Sequence, residues 1–317
     1  MTISSVPDDG QISETTAFNA ALEQVLARQP PLQSMEPAVV RARRLEGGGP
    51  FPPPVYLPQG VDRVVPGRAG NVGLRVFTPD RVGGVYLHIH GGGWTLGAAN
   101  QQDPMLWAIA EQSGVAVVSV DYRLAPEHPY PAGPDDCEDA ASWLVDHAAE
   151  EFGTDRLVIG GESAGAHLAV VTMLRLRDRG AYPGGFRGAN LVFGAYDLSM
   201  TPSQRLWGER YLVLSTPVVR WFADHFLGDR DEEARRVPDV SPLYAELHDL
   251  PPALFTVGTQ DPLLDDSMFM AARWRSAGNE ASLEVFPEAA HGFTLFPIAA
   301  AAASKTSQIA FIREAVS

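Results

Sequence analysis

From about residue 72 onward, short apolar runs rich in β-branched residues alternate with longer segments of helical period. The runs are VGLRVF (72–77), VYLHIH (85–90), VAVVSV (115–120), RLVIG (156–160), ANLVF (189–193), ALFTVG (253–258) and ASLEVF (281–286). Near-continuous apolar runs suit strands covered on both faces, and strands that alternate with helices build a mostly parallel sheet flanked by helices. The intervening segments carry helix punctuation. DPMLWAIAEQSG (103–114) opens on Asp-Pro and closes at glycine, while DDCEDAASWLVDHAAEEFG (135–153) has acids in its first turn and also closes at glycine. The predicted fold class is α/β.

Two regions break the alternation. Residues 12–46 predict two amphipathic helices broken at Pro30-Pro31, followed by GGGPFPPP (47–54), a composition that suits an irregular linker. Residues 198–235 interrupt the strand order with RLWGERYLVLSTPVVRWFADHF (205–226), and an insertion carrying Trp207, Tyr211, Trp221 and Phe222 is expected to cover something. The expected organisation is an N-terminal helical region with linker (1–54), one α/β domain made of 55–197 and 236–317, and the insertion 198–235. A chain of 317 residues exceeds the usual domain size, yet α/β enzymes of this length commonly fold around one core.

Composition narrows the partners. With 45% hydrophobic and 20% charged residues, the chain has the make-up of a globular protein with a large core. A net charge of −15 repels phosphate backbones and anionic lipids, and the basic stretch RARRLE (41–46) is short and suits a solvated face. Neither nucleic acid nor membrane is an expected partner. The single cysteine, Cys137, excludes an intramolecular disulfide, and no His and Cys cluster surrounds it for a structural zinc. The opening MTISSVPDDG lacks a basic segment followed by an apolar core, and no stretch reaches the roughly 18 apolar residues of a membrane span, so a cytoplasmic location is expected.

Ligands of open parallel sheets bind beyond the carboxyl ends of the strands, and the chemistry-bearing motifs fall there. In RLVIGGESAGAHLAVV (156–171), Ser163 follows a strand and opens a helix. A serine there can simply cap the helix. The flanking Gly161 and Gly165, however, give the context of a G-x-S-x-G nucleophile elbow. A serine hydroxyl needs a base, and the base an orienting carboxylate. Asp261 in TVGTQDPLLDD and His291 in VFPEAAHGF supply both, each just past a strand, in the chain order Ser, Asp, His. His291 falls five residues beyond the predicted strand end. Asp265 and Asp266 compete with Asp261 from the following helix, and Glu162 and Glu288 are weaker competitors.

HIHGGGW (88–94) admits three readings. His88 and His90 share one strand face and form a candidate metal pair, although nothing downstream completes a site. A phosphate loop would need a Lys-Ser/Thr ending that is missing. Glycines also allow backbone N–H groups to approach a developing oxyanion.

Taken in order, His90-Gly91-Gly92-Gly93, DYRLAPEHPYPA (121–132), Gly161-Glu162-Ser163-Ala164-Gly165, DPLLDD and HGF resemble the bacterial hormone-sensitive-lipase-like esterases of the α/β-hydrolase fold. The resemblance spans roughly 55–317. It implies Ser163 as nucleophile, His291 as base, Asp261 as acid, and an oxyanion hole from the N–H groups of Gly92, Gly93 and Ala164. It also implies a cap built from the N-terminal region and the 198–235 insertion. Glu162 stands where many members have aspartate, and Trp94 is bulkier than some equivalents. Trp94 either narrows the pocket or packs the core, and Trp207 and Tyr211 are candidates to line the entrance. The expected function is a serine carboxylesterase acting on short- to medium-chain acyl or aryl esters. It would need no cofactor and no metal, would take a small-molecule ester as its partner, and leaves a homo-oligomer open. An amidase or formamidase with the same triad is the alternative. A non-catalytic binding protein of the same fold is the other, and His291 argues against it.

Overall fold

A computed structural model describes residues 9–180 and 185–317, so the first eight residues of the N-terminal region and positions 181–184 lie outside it. Every predicted apolar run is a strand: β2 (Gly70–Phe77), β3 (Gly84–Ile89), β4 (Val115–Asp121), β5 (Leu157–Glu162), β6 (Gly188–Val192), β7 (Ala253–Gln260) and β8 (Ala281–Ala290). An eighth strand, β1 (Val61–Gly67), precedes them, and the sheet order is β1-β2-β4-β3-β5-β6-β7-β8. The pairs β1–β2 and β2–β4 are antiparallel, and every pair from β4 to β8 is parallel.

Two strands depart from the pattern, each for a reason at a sheet edge. In β1 only Val65 is buried, because VDRVVPG pairs on one side alone and faces solvent elsewhere, so it carries no apolar run. β8 runs on through Pro287 and Glu288 to Ala290, four residues beyond the predicted end. Its outer side makes no ladder, so Pro287 removes no needed donor, and a register shift between Gly258 and Gln260 absorbs the irregularity. His291 therefore follows the strand directly instead of five residues later.

Helices α3 (Asp103–Ser113) and α10 (Ala299–Ala315) cover one face, where Leu106 and Ile312 pack with Phe77, Tyr86, Val117 and Val158. On the other face, α4 (Ala132–Phe152), α5 (Ala164–Asp178) and α9 (Leu264–Ser276) bring Leu144, Leu168 and Trp274 into the larger core with Val85, Leu87 and Ile89. Among the described residues, no helix is long and apolar enough to cross a membrane.

The N-terminal region forms α1 (Asp9–Leu26) and α2 (Pro37–Leu45), and the insertion forms α6 (Pro202–Leu206), α7 (Thr216–Leu227) and the short α8 (Glu232–Arg235). RARRLE is not simply a solvated face. Arg41 donates to the carbonyls of Thr95 and Ala125 at 2.8 and 2.6 Å and grips Glu127 with two hydrogen bonds of 2.8 Å. Those bonds pull the Glu127 carboxyl down to about 2. The insertion is fastened from beneath by Asp266 of α9, which accepts from the Tyr196 and Asp197 N–H groups, the Thr201 hydroxyl and the Gln204 amide.

Candidate active site

Sheet register brings the strand-end motifs together. Gln260 of β7 pairs with Ala290 of β8, so the next residues, Asp261 and His291, emerge side by side. Ile89 pairs with Gly161, which sets the glycine loop after β3 beside the turn after β5. That turn is tight. Ser163 adopts φ 57° and ψ −118°, a sparsely populated conformation for a residue with a side chain, and α5 begins at the next residue. Its N–H donates to Val192 O at 2.9 Å, which holds the turn against β6. Gly161 and Gly165 are required by crowding: a Cβ on either would sit 2.0 or 1.9 Å from Ile89 O.

His291 Nε2 lies 3.0 Å from Ser163 Oγ, and its Nδ1 lies 2.8 Å from Asp261 Oδ2. The carboxylate can only accept, so Nδ1 carries the proton, which leaves the Nε2 lone pair to accept from the Ser163 hydroxyl. Asp261 is 1% exposed and also accepts from the Leu263 N–H at 2.8 Å, so its orientation is fixed from two sides. The competing acids are occupied elsewhere. Asp265 accepts from the Ser203 N–H, Asp266 holds the insertion, Glu288 accepts from Gln260, and both Glu162 oxygens lie 3.1 Å from His88 Nε2.

The two histidines of HIHGGGW have separate structural partners. His88 Nδ1 meets the Ser119 hydroxyl at 2.8 Å. His90 Nδ1 donates to Gly91 O at 2.9 Å, and its ring stacks on Tyr122 at 4.3 Å. Burial pulls the His90 imidazole down to about 4, so it is neutral near pH 7. Among the described residues no cluster of three or more His, Cys, Asp or Glu is arranged to hold a metal ion.

A cavity of about 150 Å³ opens above Ser163. Its floor is His90 to Gly93 with Glu162, Ser163 and His291, and its walls include Arg44 and Phe51 from the N-terminal region and Tyr211, Val213 and Phe222 from the insertion. Gly92 and Gly93 have φ +124° and +59°; a Cβ on Gly93 would lie 2.2 Å from the Phe222 ring, so the loop is pressed against the insertion. Ala164 opens α5, where backbone N–H groups have no partner within the helix and the helix dipole is positive.

Of the aromatic candidates, Tyr211 and Phe222 are on the wall. Trp94 is not: it is 5% exposed, donates from Nε1 to His167 Nδ1 at 3.0 Å and stacks on Phe226 at 4.8 Å, which makes it a packing residue. Trp207 also lies off the wall, with Nε1 on Arg210 O at 2.8 Å and the Arg210 guanidinium 5.3 Å above its ring. Arg44 and Phe51 had no signal of their own in the sequence, Phe51 sitting inside a stretch that suited a linker. Phe51 reaches the site because it packs over Gly292, beside His291, and stacks on Phe296 at 5.6 Å.

Comparison with known proteins gives the family. The family model described as the α/β hydrolase fold matches residues 86–295. The chain belongs to the α/β-hydrolase family. Within that family it is 36% identical over 257 residues to the carboxylic ester hydrolase LipN of Mycobacterium tuberculosis, covering 78% of this chain and 68% of LipN. It is 33% identical over 297 residues to the carboxylesterase NlhH of the same organism, covering 86% of each. The hyperthermophilic esterase from Pyrobaculum calidifontis superposes with a TM-score of 0.84 at 29% identity over 100% of both chains. This α/β-hydrolase is a carboxylesterase of the hormone-sensitive-lipase-like type.

Proposed function

We propose that this carboxylesterase hydrolyses short- to medium-chain acyl or aryl esters through an acyl-enzyme, with Ser163 as nucleophile, His291 as general base and acid, and Asp261 as the carboxylate that orients it. The observation that carries this reading is the hydrogen-bonded chain from Ser163 Oγ through His291 to Asp261. Ser163 Oγ attacks the ester carbonyl while His291 Nε2 takes its proton, and the imidazolium is stabilised by Asp261. The tetrahedral oxyanion receives hydrogen bonds from the Gly92, Gly93 and Ala164 N–H groups. Its collapse expels the alkoxide, which leaves as the alcohol with the proton from His291. Water, deprotonated by the same nitrogen, then attacks the acyl-enzyme, and the acid departs as Ser163 regains its proton. No cofactor enters any step. The substrate is a small-molecule ester, and the modest cavity supports short acyl groups. A cytoplasmic site of action belongs to the same reading.

Ser163→Ala is expected to fold as the wild type and to lose nearly all esterase activity, while an organophosphate should inactivate the wild type stoichiometrically and label Ser163. Activity of the alanine variant within about tenfold of wild type, a loss of only ~1.4 kcal/mol of transition-state stabilisation, would overturn the assignment.

A further inference from the structure

The cavity wall carries a cation with no acid beside it. Arg44 lies in the last turn of α2 and lines the space above Ser163. Its guanidinium sits 5.3 Å from the centre of the Phe51 ring. Three other cap arginines are paired with acids, Arg41 with Glu127, Arg205 with Glu232 and Arg210 with Glu23. Arg43 and Arg220 meet the sulfurs of Met35 and Met200 instead and do not line the cavity. The acids closest to the chemistry are engaged as well, Glu162 with His88 and Asp261 with His291. Among the described residues Arg44 forms no ion pair. Burial pulls its guanidinium below the ordinary range, with Tyr211 opposing the shift, yet an arginine stays charged at neutral pH.

A partly desolvated cation facing a ligand cavity is stabilised by a ligand that brings an anion, and is desolvated further without compensation by a neutral one. We propose that Arg44 makes this enzyme selective for esters bearing a second, carboxylate group on the acyl or alcohol part, half-esters of dicarboxylic acids among them, bound with the carboxylate on Arg44 and the ester carbonyl at Ser163. The proposal rests on the ester-hydrolysis reading of Ser163. The net charge of −15 does not oppose it at close range. Exposed charges are screened beyond a Debye length of about 8 Å at physiological ionic strength, whereas a pair inside the cavity is screened much less. Arg44 also stands at a helix C-terminus and over an aromatic ring, both structural roles. A purely structural arginine would affect neutral and anionic esters alike.

That difference is measurable by pH-stat on the wild type, Arg44→Gln and Arg44→Lys, each first checked for folding by thermal melting. Two pairs of esters probe the two sides of the substrate. Ethyl hydrogen glutarate against ethyl pentanoate places the charge on the acyl part, and 3-acetoxypropanoate against propyl acetate places it on the alcohol part. For at least one pair, Arg44→Gln is expected to raise KM for the anionic ester about tenfold or more while the neutral partner stays within about twofold and kcat changes little. Arg44→Lys should recover part of the loss, and it carries the comparison if the glutamine variant does not fold. Equal losses on both members of both pairs, or no change on either, would overturn the proposal and leave Arg44 as scaffold. If the wild type hydrolyses neither neutral ester, the reading of Ser163 fails first and the proposal falls with it.

Discussion

Individual side chains carry most of the proposed chemistry, and the proposed acid of the triad gives the sharpest residue-scale test. Asp261 holds the proton of His291 on Nδ1; an asparagine there can present its N–H₂ instead and favour the wrong tautomer. Asp261→Asn is expected to lower kcat by about 10⁴-fold, measured on a p-nitrophenyl ester. Asp265→Asn, which touches only the Ser203 region, should stay within about tenfold of wild type. Trp94 makes the opposite case, because its surroundings are structural. Trp94→Phe leaves His167 Nδ1 without its donor inside the core, so unfolding free energy should drop by about 1–3 kcal/mol. Relative kcat/KM for acetate and octanoate esters should not move. A shift in that ratio would return Trp94 to the pocket.

Elements shape the cavity above Ser163. Helix α7 presents Phe222 to the cavity and presses it against the glycine loop, while Asp266 of α9 ties down the segment that leads into α6. Phe222→Ala removes a wall without touching the triad. The expected result is a change of about 1–3 kcal/mol in relative specificity between octanoate and acetate esters, with acetate turnover near normal. Asp266 behaves differently, since four buried donors converge on one carboxylate. Burial pushes its carboxyl up to about 7, and those four hydrogen bonds pull in the other direction. Asp266→Ala would strand the donors, and denaturant unfolding should show a loss of about 3 kcal/mol or more. A smaller loss would mean that the insertion is held mainly by its aromatic packing.

At the scale of the whole molecule, buried ionisable groups set the response to acid. His90 and His167 are both pulled down to about 4 by burial. In each case the unfolded chain takes up a proton below its ordinary pKa of about 6.5 while the fold does not, so stability falls as pH drops from there toward 4. Asp266, raised to about 7, acts with the opposite sign over the same window, because the fold retains a proton that the unfolded chain has released. From these three groups alone, two protons against one leave a net loss of roughly 3 kcal/mol between pH 6.5 and 4, at about 1.4 kcal/mol per proton per pH unit. Urea unfolding across that range measures it, and a flat profile would contradict the expected net shift of the three groups taken together. The sequence by itself determined the sheet and the strand-end positions of the three residues proposed to react. Strands β3 to β7 are buried on both faces and so appear as apolar runs, and Ser163, Asp261 and His291 sit at strand ends where local context marks them. Only the tertiary structure decided β1 and the end of β8, because an edge strand needs no continuous apolar run and tolerates a proline. It also decided the walls of the cavity. Arg44 and Phe51 come from the N-terminal region and Phe222 from the insertion about 170 residues later, and whether a ring faces cavity or core, as with Trp94, depends on neighbours such as His167 and Phe226 that no local pattern can specify.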